Sequence, residues 1–416
     1  MNVWRMTRES ATRLLVAARA RYQAHSHIIL PLAIFAMTSL LYGFNVRLFS
    51  PLTFSSDGIV VGDTKEVVRH MRQLSFDGDM MKHSLFSATT APLVGLLQDA
   101  TSVSQSEAIV LVLAMVAALN ITGVFILLRT FFSAAGPAFL FTFVFAAFFS
   151  NLVLFSIPET YALSDLLILL YLSVLLRVGR KSSWPTSLGL SLLAALASLY
   201  NPPLLSLMTI HMVLFYNRSK RGPWIRSSLA NLALGGLFYL SMNLLIHGSA
   251  FLGYLSDYGG RHFSPLNLLH WSNMTNVFVN FFMYSILSPV GYLPGYLRLQ
   301  DFSGYLQAPL RCLLLIILES AVFGGIVVAV TRQTNHRRLA VSLLSWILLM
   351  LVFYTCYTPR DATLWSLQIL LPLMIILAIA FNTIQIRPWV KSGAVLVVSA
   401  LVAVNNCLAF YAGPVK

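Results

Sequence analysis

Long apolar runs alternate with short polar breaks along almost the whole chain. The runs occupy approximately 28–48, 107–128, 137–157, 161–176, 185–199, 203–216, 224–246, 310–331, 339–357, 364–386 and 392–411. A helix needs about 20 predominantly apolar residues to cross the hydrocarbon core of a bilayer, where only helices and closed barrels satisfy their own backbone polar groups. The pattern predicts an all-α, polytopic transmembrane helix bundle of about eleven spans, forming a single domain over 1–416. One further stretch, 276–297, has an apolar core at 277–287 that is too short to cross and is followed by Pro289, Gly291, Pro294 and Gly295. It reads as an interfacial or re-entrant segment, with ten or twelve spans as the fallback counts.

Composition excludes an ordinary soluble protein. Of 416 residues, 57% are hydrophobic and 10% charged, whereas a soluble domain carries about 25% charged residues. The net charge of +14 fits Lys and Arg collected in cytoplasmic loops, so no nucleic-acid partner is expected. Cys312, Cys356 and Cys407 lie in separate apolar runs without metal-ligand spacing and read as small packing residues.

The basic residues also give an orientation. Arg5, Arg8, Arg13, Arg19 and Arg21 precede the first run against one acid, Glu9. This places 1–27 in the cytoplasm and favours a retained span over a cleaved signal peptide, because the charged region is long and no small-x-small site follows. Since each crossing changes side, Arg129, then Arg177, Arg180 and Lys181, then Arg218, Lys220, Arg221 and Arg226, then Arg332, Arg337 and Arg338, and finally Arg387 and Lys391 all return to the cytoplasmic face. Among the acids only Glu9 shares that face. Asp165 and Glu319 fall inside spans, and the others lie in outer loops or at outer span ends. Chemistry is therefore expected outside the cytoplasm, in the two long outer loops 49–106 and 247–309, whose apolar and aromatic content predicts order. No internal repeat is visible, which weighs against an inverted-repeat transporter.

In the first outer loop, Asp57, Asp63, Asp77 and Asp79 fall close together. Asp63 precedes TKEVVRHMRQL, in which Val67, Val68, Met71 and Leu74 recur at helical spacing. An amphipathic helix is expected there on the outer membrane surface, with Lys65, Arg69 and Arg72 turned to lipid phosphates. Asp63 is then an N-cap, a chemical group, or both. Asp77 and Asp79 in FDGDMMKH read as turn residues around Gly78, or as oxygen ligands for a divalent metal; a lone DGD does not decide.

An Asp soon after the first span, an amphipathic helix, and a K-H-x-L-F segment leading to the next apolar run resemble the GT-C class of polytopic glycosyltransferases. SIPETYALSDLLILLYL and CYTPRDATLWSLQILLPLM, each an outer turn opening a span, fit the same class. Unlike larger members, the chain is expected to carry no soluble C-terminal domain. The resemblance implies transfer of one sugar from a polyprenyl-phosphate donor to a hydroxyl-bearing acceptor, without a cofactor, in a bacterial inner membrane with the active site facing out. It places the catalytic carboxylate at Asp63, with Asp57 as the alternative. A lipid phosphate is already a good leaving group, so one general base suffices where a glycosidase needs two carboxylates. The departing phosphate needs cations, for which Lys82, His83, Arg261, His262, Arg298 and Arg360 lie on the expected side.

Other residues carry open alternatives. Glu159, in a short outer turn after Pro158, is either an acceptor-side group facing the same cavity, as is Asp79, or a helix N-terminal acid favoured by the dipole. Glu319, mid-span, is either a functional carboxylate or a protonated one hydrogen-bonded between helices. Tyr254, Tyr258, Phe263, Trp271, Tyr284, Tyr292 and Tyr296 are interfacial anchors, or wall a prenyl groove or stack on a sugar. A transporter or lipid-carrier flippase, and a polysaccharide polymerase or ligase, are the competing functions.

Overall fold

The structure, a computed structural model, describes residues 27–48, 64–73, 81, 83–179, 183–216, 221–288, 308–357, 359 and 362–412. In chain order the helices are α1 (His27–Leu48), α2 (Thr64–Arg72), α3 (Ser84–Thr101), α4 (Gln105–Leu128), α5 (Ala135–Ala147), α6 (Phe149–Leu154), α7 (Tyr161–Val178) and α8 (Trp184–Ser198). They continue as α9 (Met208–Leu214), α10 (Arg221–His247), α11 (Ala250–His262), α12 (Trp271–Phe278), α13 (Pro309–Thr331), α14 (Arg337–Tyr357), α15 (Ala362–Thr383) and α16 (Pro388–Ala412). No strand occurs among the described residues.

The protein is a polytopic helical membrane protein. Among the described residues eight helices, α1, α4, α7, α10 and α13 to α16, are long and apolar enough to cross a bilayer. The other three expected spans are shorter or broken: α5 with α6, α8, and a 3₁₀ segment (Pro202–Leu207) continued by α9. Of the about eleven expected spans, eight are thus long helices and three are short apolar runs. Exposed Leu32, Leu40, Leu245, Leu310 and Leu408 are large apolar side chains on the outside of the bundle, as a lipid-facing belt requires.

The break between α5 and α6 has a local cause. Phe148 leaves the helical region, with ψ 138°, and frees carbonyls that have no water to turn to. Side chains take over. The Asn151 amide donates to the Phe145 carbonyl, and Asn406 Nδ2 donates to the Ala147 carbonyl at 2.8 Å. Asn406 Nδ2 also donates to the Ile286 carbonyl at 2.7 Å, while its Oδ1 accepts the Ser288 N–H at 2.8 Å. One buried side chain thus ties α16, the end of α5 and the second long loop together.

The segment expected to be interfacial or re-entrant is observed as far as Ser288. It leaves α12 through a π-helical turn (Val279–Tyr284) and packs on α15, with Phe281, Tyr284 and Leu287 buried. It therefore enters the bundle rather than lying on its surface.

Helices α8 and α10 run parallel and in contact: Asn231 Nδ2 donates to Ser187 Oγ at 2.6 Å, and Gly235 lies against the Ser191 carbonyl. The 3₁₀–α9 segment returns alongside, with Trp224 Nε1 donating to the Met212 carbonyl at 2.9 Å. Helices α4 and α7 are also parallel, because Asn120 meets Ala162 and, farther along both, Gly123 meets Leu169.

The first outer loop is more helical than its sequence suggests. Helix α2 forms where expected, but Val67, Val68 and Met71 are buried, and α2 packs on α3, a second helix within the segment expected as an outer loop. The apolar face of α2 is therefore covered by protein rather than lipid, while Arg69 and Arg72 stay exposed. Arg69 pairs with Glu66 at 3.2 Å. The Ser87 hydroxyl donates to the His70 carbonyl, and Gln105 Nε2 donates to the Arg72 carbonyl, so the C-terminal end of α2 is tied to the bundle.

Candidate functional site

Four segments from distant parts of the sequence meet around a cavity of about 250 Å³. His83, just before α3, supplies one side. The Asn201-Pro202-Pro203 turn supplies the second, Tyr239 of α10 with Phe251, Tyr254, Leu255 and Phe263 of the second long loop the third, and Phe353, Tyr357 and Trp365 at the α14–α15 turn the fourth. The walls are mainly aromatic, with few polar atoms, as in small-molecule sites generally.

Local sequence explains each wall. Pro202 and Pro203 have no N–H to donate and start a 3₁₀ turn, so the chain reverses tightly after α8. The Asn201 backbone is satisfied, its N–H bonded to the Ala197 carbonyl and its own carbonyl accepting the Leu204 N–H. His83 is buried, and its Nδ1 is hydrogen-bonded to the Tyr200 carbonyl. A carbonyl only accepts, so Nδ1 carries the proton and, in the neutral ring, Nε2 is the basic nitrogen. Ser84 beside it bonds to the Asn243 side chain and to His247 Nε2 at 2.9 Å, which fixes the start of α3 against the end of α10.

Trp365 is the best-packed wall. Its ring stacks on Tyr354 with centroids 4.8 Å apart and receives Tyr161 edge-on at 5.2 Å and Tyr357 at 5.9 Å. Tyr357 lies 6.2 Å from the His262 ring, and Phe263 lies 6.0 Å from Phe353. Two donors in this ring of aromatics have no partner. Trp365 Nε1 and Asn201 Nδ2 are both buried and make no hydrogen bond.

Of the residues nominated from sequence, the structure brings His83 to the cavity wall, His262 to the neighbouring Tyr357, and Tyr254 and Phe263 to the wall itself. Glu159 is buried in the turn leading to Tyr161, whose ring touches Trp365. Arg261 lies in α11, with its side chain outside the described residues. Asp57, Asp63, Asp79, Lys82, Arg298 and Arg360 also lie outside them. Helix α2 begins at Thr64, directly after Asp63 in sequence. Trp271 is exposed and Tyr284 is buried in the bundle, so neither joins the wall.

Two in-span carboxyls stand apart from the cavity wall. Asp165 and Glu319 are buried, and no oxygen of either has a hydrogen-bond partner. Of the two alternatives for Glu319, the one hydrogen-bonded between helices is not observed. Among the described residues no three His, Cys, Asp or Glu side chains gather as metal ligands, and the DGD turn lies outside those residues.

Sequence reading missed Asn201, Tyr239, Phe251, Phe353 and Trp365. The available signals were an Asn directly before Pro-Pro and a Trp opening a span after a charged turn. No protein-family model and no curated protein sequence matches the chain.

Proposed function

We propose that this protein is a membrane glycosyltransferase that moves one sugar from a polyprenyl-phosphate donor to a hydroxyl-bearing acceptor outside the cytoplasm. The cavity carries this reading. It joins the first outer loop, the Asn-Pro-Pro turn, the second outer loop and the α14–α15 turn, which are the segments that the span parity assigns to one face. Sequence neighbours of its walls include Lys82 next to His83, Arg261 and His262 next to Phe263, and Arg360 between Tyr357 and Trp365. With Arg298, these are the groups proposed to hold the phosphate.

In the proposed step the acceptor oxygen attacks the anomeric carbon as the bond to the phosphate oxygen breaks. The electron pair leaves with the lipid phosphate, and the acceptor proton passes to one carboxylate, Asp63 or in its place Asp57. Single displacement inverts the anomeric centre. Glu159 and Asp79 are assigned to the acceptor side. No metal or cofactor is part of the scheme, and the N-terminus is assigned to the cytoplasm of a bacterial inner membrane.

Asp63→Asn keeps size and much of the capping ability while removing the base. Transfer from a polyprenyl-phosphate sugar in proteoliposomes is expected to fall about 10²- to 10⁴-fold with donor binding retained. A loss below tenfold moves the role to Asp57, tested as Asp57→Asn. Near wild-type transfer in both variants refutes the mechanism.

A transporter or lipid-carrier flippase is the second reading, favoured by the unpartnered Asp165 and Glu319 inside spans. It predicts that Asp165→Asn or Glu319→Gln abolishes flux across the vesicle membrane.

A further inference from the structure

We propose that the cavity holds one uncharged, hydroxyl-rich ring, the sugar being transferred, and that Trp365 Nε1 and the Asn201 amide are the donors that recognise it. This rests on the transferase reading for the identity of the ring. The pairing of these two donors at one cavity rests on geometry alone.

Trp365 is 6% exposed and Asn201 1% exposed, yet Trp365 Nε1 and Asn201 Nδ2 have no partner. A buried donor left unpaired is costly, and native interiors pair nearly all of them. The indole has no freedom to correct this by turning, because Tyr354 covers one face and Tyr161 and Tyr357 abut it. The Asn201 backbone is held by its bonds to Ala197 and Leu204. Both residues line the same cavity, which makes one acceptor-bearing guest the proposed partner of both.

Size and charge narrow the guest. A cavity of about 250 Å³ has room for a pyranose ring. No Asp, Glu, Lys or Arg occurs among the described lining residues, and a buried charge needs a counter-charge. Aromatic rings suit the apolar faces of a pyranose, and two N–H donors suit its hydroxyl or ring oxygens. A prenyl chain would leave both donors unpaired.

Calorimetry on the full chain in nanodiscs, with four short-chain probes, tests this. The probes are citronellyl phosphate, citronellyl phosphohexoses, citronellyl phosphoglucuronate and phosphate-free citronellyl hexosides. Wild type is expected to bind the phosphohexose at least tenfold more tightly than the glucuronate. Trp365→Phe, which keeps the stack on Tyr354, and Asn201→Ala are each expected to weaken the phosphohexose and the hexoside about tenfold and to change citronellyl phosphate less than twofold. Equal losses for phosphate and phosphohexose in both variants assign these residues to packing and overturn the proposal, as does tight binding of the glucuronate. If wild type gains nothing from the phosphate but binds the hexoside in a Trp365- and Asn201-dependent way, the ring site stands and the donor reading fails. If no sugar-bearing probe binds wild type, both fall.

Discussion

Asn406 shows how much one buried amide does in a water-poor interior. Its Nδ2 donates to the Ala147 and Ile286 carbonyls, and its Oδ1 accepts the Ser288 N–H. Asn406→Asp keeps the acceptor and removes both donors, so two buried carbonyls are orphaned. The expected loss is about 2–4 kcal/mol, read as a lower midpoint in denaturation in detergent. Asn406→Leu, which also removes the acceptor of the Ser288 N–H and of Asn405 Nδ2, should fall further, and equal stability of Asn406→Asp and wild type would remove this account of the α5 break. The same chemistry sets what was legible at single positions. Histidines and charged residues announce themselves, so His83 was found. Asn201, Asn406 and Trp365 act through partners that only folding supplies, and nothing in the local sequence separates an amide that bonds to two distant backbone segments from one facing a cavity.

Among the elements, close helix approaches depend on glycine to different degrees. A Cβ on Gly123 would lie 2.1 Å from Leu169 Cδ2, at the buried α4–α7 contact. A Cβ on Gly235 would lie 2.0 Å from Met208 Cε, the far end of a flexible thioether. Leucine 169 must leave its rotamer or push α7 outward, whereas Met208 can swing its terminal methyl. Gly123→Ala is therefore expected to cost about 1–3 kcal/mol and Gly235→Ala less, compared by thermal unfolding in detergent. The reverse order would show that Leu169 has room that the structure does not reveal. Elements of this kind were legible where length and apolarity were large, as in α4 and α13. They were obscured where a helix is broken by bonds to distant side chains, as at Phe148, or where its apolar face meets protein, as in α2 and α3. A period of hydrophobic positions tells that a face is buried, not whether lipid or protein buries it.

Over the whole molecule, the path of the chain decides which face the cavity opens to. If only the eight long helices crossed the membrane, α4 and α7 would be consecutive crossings and thus antiparallel. They are parallel, so 129–160, which contains α5 and α6, must return between them. Likewise α8 and α10 are parallel with the 3₁₀–α9 segment between. That segment is short in residues, but a 3₁₀ rise of about 2.0 Å per residue lets its first part cover more depth than an α-helix would. The polar ends separate accordingly. Phe131 after α4, His336 before α14 and Asn382 at the end of α15 meet at one end, near Arg129, Arg332 and Arg387. Two schemes give opposite locations for exposed Ser256 and Gln333. Eleven passages with a cytoplasmic N-terminus put Ser256 outside and Gln333 in the cytoplasm, whereas eight put Ser256 in the cytoplasm and Gln333 outside. Asp99 outside and Ser133 inside are common to both and serve as controls. Single cysteines at these positions, in a chain with Cys312, Cys356 and Cys407 replaced, should label with a membrane-impermeant maleimide from outside only at Asp99 and Ser256. Labelling of Gln333→Cys from outside with Ser256→Cys protected would put the second long loop on the cytoplasmic side, opposite the first, and remove the extracytoplasmic sugar transfer proposed for the cavity they share.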